Sequence, residues 1–156
     1  MLGAVTDQSN TKTILKRMYA AEAEYLLAGG PGNADFEPLA EHFSSEVVLH
    51  QAEALPYGGI WRGHADLERF FAAMSGTWAV FEFVEQELVA TDEDTGTAVV
   101  LTQVRARSRA TGRELEFPIL QTITIRDDRI AEVRPFYWDT AAIAAACTPE
   151  QATPHR

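Results

Sequence analysis

The amino-acid sequence predicts an α+β domain, with helices gathered at the start of the chain and a run of long antiparallel strands after them. Two observations carry this. Up to Met74 the apolar residues recur at a period near 3.6, and from Trp78 onward the period drops to 2. The long strands are also separated by connections of only a few residues, which suits a meander and leaves no room for crossover helices. A chain of 156 residues is about one domain's worth.

Residues 1–10 are small and polar with no apolar period, and they are expected to form a flexible arm before a single domain over 11–147 and a tail over 148–156. Ile14, Leu15, Met18, Tyr19, Tyr25 and Leu26 recur at helical spacing and define a first amphipathic helix. The Gly29–Asn33 stretch, with Pro31 inside it, must stop that helix. A short second helix follows, with Asp35 as its cap and Phe36, Leu39, Ala40 and Phe43 on one face. Val47, Val48 and Leu49 mark a first strand over 46–50. The segment 55–63 is turn-rich and aromatic, a loop with room for a short strand. Leu67, Phe70, Phe71 and Met74 give a third helix ending at Gly76. Strands are then expected at 78–90, 97–109, 114–126 and 129–138, and a last helix over 141–146 capped by Asp139 and stopped by Pro149.

Composition excludes several classes. Forty-six per cent hydrophobic and 23% charged residues describe an ordinary globule, and no apolar run is long enough for a bilayer-spanning helix. A net charge of −10 disfavours nucleic acid and anionic membranes. The lone Cys147 and a start lacking a basic and apolar leader point to the cytosol. His42, His50, His64 and Cys147 lack metal-ligand spacing, and phosphate-loop, serine-hydrolase and zinc-protease motifs are missing. Arg105, Arg107 and Arg109 alternate as a basic stripe, expected to face water or a partner's acidic strand.

The chain resembles the nuclear-transport-factor-2-like (NTF2-like) superfamily, and within it the SnoaL-like and ketosteroid-isomerase-like group. The resemblance lies in the helix with Tyr19 and Tyr25, the passage FEPLAEHFSSEVVLHQ (36–51), the loop and helix LPYGGIWRGHADLERFF (55–71) and the closing DDRIAEVRPFYWDTAAI (127–143), over about residues 11–146. It implies a cone-shaped (cystatin-like) single domain, commonly a homodimer, whose enzymes work without metal or organic cofactor on a small apolar molecule held in a conical pocket.

Candidate site residues follow from both sources. Gln121 is the one amide on the apolar parity of strand 114–126, either a ligand-facing group or an amide satisfied by its neighbours; by resemblance it occupies the oxyanion-hole position of the isomerases. The general-base position falls at Gln51 or Glu53, and His50 is an alternative base if it faces the pocket. Asp139 matches the acid/base aspartate of SnoaL-like polyketide cyclases, and is equally a helix cap. Tyr19 matches the isomerases' hydrogen-bonding tyrosine; Tyr25 projects some 120° away from it. Arg134 is either an anion or carbonyl clamp or a structural ion pair. Tyr57, Trp61, Trp78, Phe117 and Trp138 are the expected aromatic surroundings of a flat, apolar ligand. Two functions stay open: a cofactor-independent isomerase, cyclase or hydrolase using acid–base chemistry, and a ligand-binding or dimeric assembly module without chemistry.

Overall fold

The computed structural model describes the backbone of residues 3–150 and side chains from Thr11 onward, so 151–156 of the expected tail lie outside the described residues. In chain order the elements are α1 (Gly3–Leu27), α2 (Glu37–Ala40), β1 (Phe43–Gln51), β2 (Gly59–Arg62), α3 (Gly63–Thr77), β3 (Trp78–Asp92), β4 (Thr97–Ser108), β5 (Glu114–Arg126), β6 (Arg129–Tyr137) and α4 (Thr140–Cys147). Helix α1 begins before the expected Thr11. Its apolar stripe does begin there, but once a turn has formed each further residue costs little to add.

One six-stranded sheet has the order β2-β1-β6-β5-β4-β3. The meander β3 to β6 is antiparallel, and β1 joins β6 as the single parallel pair among the described strands. The β5–β6 hairpin turns through Asp127 and Asp128 at φ 51° and 60°. Two successive positive φ values define a type I′ turn, which aspartate tolerates because its short polar side chain can bond locally. Irregular register at Trp78/Val80, Phe83/Glu85 and Leu88/Ala90 bends β3 along its length, so the sheet curves and does not close.

Strand parity decides which side is buried. Ala98, Val100, Thr102, Val104 and Ala106 of β4 and Phe117, Ile119 and Ile123 of β5 face inward and pack under the helices with Val47, Leu67, Phe71 and Ile130. Helix α1 stops where Gly30 N–H returns to the Tyr25 carbonyl at 2.9 Å, with Gly29 and Gly30 at positive φ. Asp35 does accept from Glu37 N at 3.1 Å, one residue earlier than a side-chain cap on Phe36 would. Among the described residues no helix is long and apolar enough to cross a membrane.

Candidate functional site

Between α1, α3 and the concave face of the sheet lies a cavity of about 420 Å³, within the range that small-molecule sites occupy. Its wall is mainly apolar: Met18, Leu49, Phe70, Phe71, Trp78, Phe81, Ile119, Ile123 and Val133 are among its residues. The polar members are Tyr19 and Glu22 from α1, Gln51 from β1, Ser75 from α3, Arg109 just beyond β4, Gln121 from β5 and Tyr137 from β6.

The sheet register explains three of these positions. Gln121 pairs with Pro135, and Leu49 pairs with Val133, so two residues further along β1 Gln51 flanks Pro135 from the other side. The two carboxamides therefore stand on one face two strand spacings apart, roughly 10 Å between backbones. One step along, Ile119 pairs with Tyr137, which brings the Tyr137 ring to the same face. Its hydroxyl lies 2.9 Å from that of Tyr57, and Trp78 Nε1 donates to Tyr57 Oη at 3.3 Å. Tyr57 itself is buried behind the wall, and burial pushes its hydroxyl up to about 12. Tyr137 is also raised well above its usual value, mostly by desolvation, so both phenols are neutral at physiological pH.

Polar atoms are left without partners on this wall. Tyr19 Oη and Gln51 Oε1 are buried and make no well-formed protein hydrogen bond; the Gln86 amide lies near Tyr19 Oη but is directed to Thr102 Oγ1. Burial raises Tyr19 strongly, with a smaller push from Glu22 and a slight opposing pull from Gln86, whose amide bonds to Thr102 Oγ1 at 3.2 Å. Glu22 keeps some accessible surface toward the cavity, yet enough protein surrounds its carboxyl that burial raises it from 4.5 to about 7. Arg109 is fixed at the wall by donating Nε to the Ser75 carbonyl at 3.0 Å and Nη2 to the Trp78 carbonyl at 3.2 Å.

Several sequence-derived candidates stand elsewhere. Because Val47, Leu49 and Gln51 face inward, His50 faces the outer side of the sheet, where Nε2 lies 3.9 Å from Glu132. Glu53 is exposed in the loop after β1. Arg134 is also on the outer side, its Nε 2.8 Å from Glu132, which it holds below the usual carboxylate range. Asp139 is exposed, accepts from Ala142 N–H at 2.9 Å and caps α4, outside the cavity wall. Trp138 is 82% exposed. Trp61 ties down the loop by donating to the Tyr57 carbonyl at 3.1 Å, and Phe117 packs behind Trp78, Phe81 and Tyr137. Of the residues expected at a ligand, the cavity wall thus gathers Tyr19, Trp78 and Gln121 directly, and Tyr57 through Tyr137. Tyr25 is instead core, wedged edge-on between Phe36 and Phe71. The arginine stripe also divides: Arg105 pairs with Glu116 at 3.3 Å on the outer face, whereas Arg109, past the end of β4, turns to the cavity.

Gln51, one of the two expected general-base positions, also faces the cavity, whereas Glu22 and Tyr137 are wall residues that the sequence did not single out. Glu22 had a signal. It falls four residues after Met18 and three before Tyr25, inside the apolar stripe of α1, where a carboxylate is out of place.

With this geometry in hand, residues 15–133 match the family model of the SnoaL-like domain, and the chain belongs to that family. No curated protein matches significantly. Among solved structures, an NTF2-like protein from Burkholderia xenovorans LB400 superposes with a TM-score of 0.76 at 23% identity, over 90% of this chain and 97% of that one. TerC, co-crystallised with polyporic acid, gives 0.71 at 16% identity over 88% and 98%. A protein of Silicibacter sp. TM1040 described as a candidate polyketide cyclase gives 0.68 at 18% identity over 90% and 96%. These likenesses establish an NTF2-like fold.

Proposed function

We propose that this protein binds a flat, mostly apolar molecule carrying a carbonyl or phenolic oxygen in the conical cavity, and acts on it as a cofactor-independent isomerase, cyclase or hydrolase by proton transfer. The observation that carries this is the pairing of an apolar wall with buried polar atoms that lack partners, Tyr19 Oη and Gln51 Oε1. Each such atom costs on the order of 1–3 kcal/mol unless something hydrogen-bonds to it, and a ligand hydroxyl between them, accepting from Tyr19 Oη and donating to Gln51 Oε1, would remove that cost. With Trp78 donating to Tyr57 and Tyr57 in turn to Tyr137, the Tyr137 hydroxyl keeps its own proton and supplies a second donor to oxygen. The polyporic acid complex of TerC and the cyclase description of the TM1040 protein support the same ligand type.

A second reading, binding without turnover, is favoured by one feature: the neutral Gln51, not a carboxylate, faces the cavity from β1. Titration with 2-tetralone, anthrone and 1-naphthol, followed by intrinsic tryptophan fluorescence, to which Trp78 in the wall contributes, tests the shared premise. Saturable quenching that weakens in Tyr19→Phe is expected, and no quenching by any of the three would refute a ligand site. Turnover of a bound ketone then separates the two readings.

We also propose a homodimer formed through the outer sheet face. Leu120 pairs with Phe136 there, and Leu120, Phe136 and Trp138 are 40%, 57% and 82% exposed. Around them the Arg105–Glu116 and Arg134–Glu132 pairs balance charge, so on a chain of net charge −10 this face lets two copies meet with little repulsion. The lone Cys147 suits a reducing compartment such as the cytosol.

A further inference from the structure

We infer that Glu22 is the catalytic acid–base residue of the cavity, taking a proton from carbon beside the ligand's carbonyl and returning it to the same or a conjugated carbon. The inference rests on the cavity being a ligand site, as proposed above, but it relocates proton transfer from the strands to the first helix.

Three observations lead there. Among the described residues, Glu22 is the only carboxylate that lines the cavity. His50, Glu53 and Asp139, the other bases the sequence offers, have their side chains on the outer face, in the exposed loop and at the α4 cap. Among the described residues, no hydrogen bond or ion pair holds the Glu22 carboxyl, so it has no structural partner that would account for its place in the apolar stripe of α1. The titratable or charged groups that share the wall are Tyr19 on the same helix, Tyr137 on β6 and Arg109 past β4. Both phenols are neutral, and Arg109 is turned to the Ser75 and Trp78 carbonyls; burial alone displaces Glu22, toward the pH range in which it can both accept and give up a proton.

The chemistry then balances without any further reagent. A Glu22 carboxylate oxygen forms an O–H bond as the ligand's α C–H bond breaks, and that electron pair becomes the C=C of an enolate. The negative charge moves to the ligand oxygen, where Tyr19, one turn before Glu22 on the same wall, and Tyr137 donate hydrogen bonds. Return of the proton from Glu22 to carbon closes the cycle and regenerates the carboxylate.

The test uses 2-tetralone and anthrone, whose activated C–H protons exchange in D₂O, with binding read from intrinsic tryptophan fluorescence and exchange from ¹H NMR. Wild type should bind and accelerate exchange, with a rate that rises with pH through an apparent pKa near 7. Glu22→Gln should still bind, while its protein-dependent exchange falls by about 100-fold or more. Glu22→Asp should recover part of it and keep the pH profile. A Glu22→Gln protein that binds and exchanges as wild type does would overturn the role of Glu22 while leaving the cavity reading intact. Failure of wild type to bind either ketone would overturn both, and exchange would then be equal with and without protein.

Discussion

Replacing Glu22 by glutamine should change how stability depends on pH, before any ligand is known. In the unfolded chain this carboxyl ionises near 4.5, and in the folded cavity near 7. Below 4.5 both states carry the proton and the group is neutral in its effect. Between the two values the folded state holds a proton that the unfolded state has released, so stability falls as pH rises; above about 7 the carboxylate is charged in both states and its desolvation is fully felt. A rise of this size corresponds to a loss of about 3 kcal/mol across the window, as a ceiling that any water admitted to the cavity reduces. Urea unfolding of wild type and Glu22→Gln at pH 4.5, 6, 7 and 8 isolates the effect as a difference. The lowered Asp66 and Glu132 act in the opposite sense at lower pH and are common to both proteins. The variant should gain relative to wild type as pH rises, by up to about 3 kcal/mol at pH 8, or about 2–4 °C in Tm for each kcal/mol. Parallel stability curves from pH 4.5 to 8, or a variant that loses ground, would show that Glu22 is solvated normally and refute the reasoning.

Other expectations test separate parts of the molecule. Tyr57→Phe strips the shared partner from Trp78 Nε1 and Tyr137 Oη, and should cost about 1–3 kcal/mol by denaturant unfolding while weakening binding of 1-naphthol. Gly58→Ala would set a Cβ 2.5 Å from the Ala52 carbonyl oxygen and 2.7 Å from that of Glu53, so a loss of about 1–3 kcal/mol is expected; an unchanged melting temperature would mean the loop can shift. Asp139→Ala should cost about 1 kcal/mol through the lost cap on α4 and leave ketone affinity and exchange unchanged; loss of exchange at full affinity would return Asp139 to the mechanism. Trp138→Glu should convert a dimer to a monomer in light scattering at micromolar concentration, and a wild-type monomer would remove the dimer proposal.

Much of the architecture was legible because it depends on local rules. Period and turn residues located β3 through β6 to within two residues, since a turn at 92–97 or 126–129 confines its flanking strands whatever they pack against. The parity of β5 separated Leu115, Phe117, Ile119, Gln121, Ile123 and Ile125 from their neighbours for the same reason. The site was less legible. On β1 His50 and Gln51 are adjacent, and a one-residue change of register exchanges the faces; the choice came from pairing with β6, some eighty residues later in the chain. Asp139 has both a cap's sequence context and a catalytic resemblance, and only its position outside the cavity separates them.

By itself the sequence determined the order and type of the elements and the SnoaL-like family, because hydrophobic period, glycine and proline stops and turn chemistry act over a few residues. Tertiary structure alone decided which polar side chains share a space. Glu22, Tyr19, Gln51, Gln121 and Tyr137 come from a helix and three strands, and what brings them together is the parallel β1–β6 pair and the bend of the sheet under α1, long-range contacts that no local spacing records.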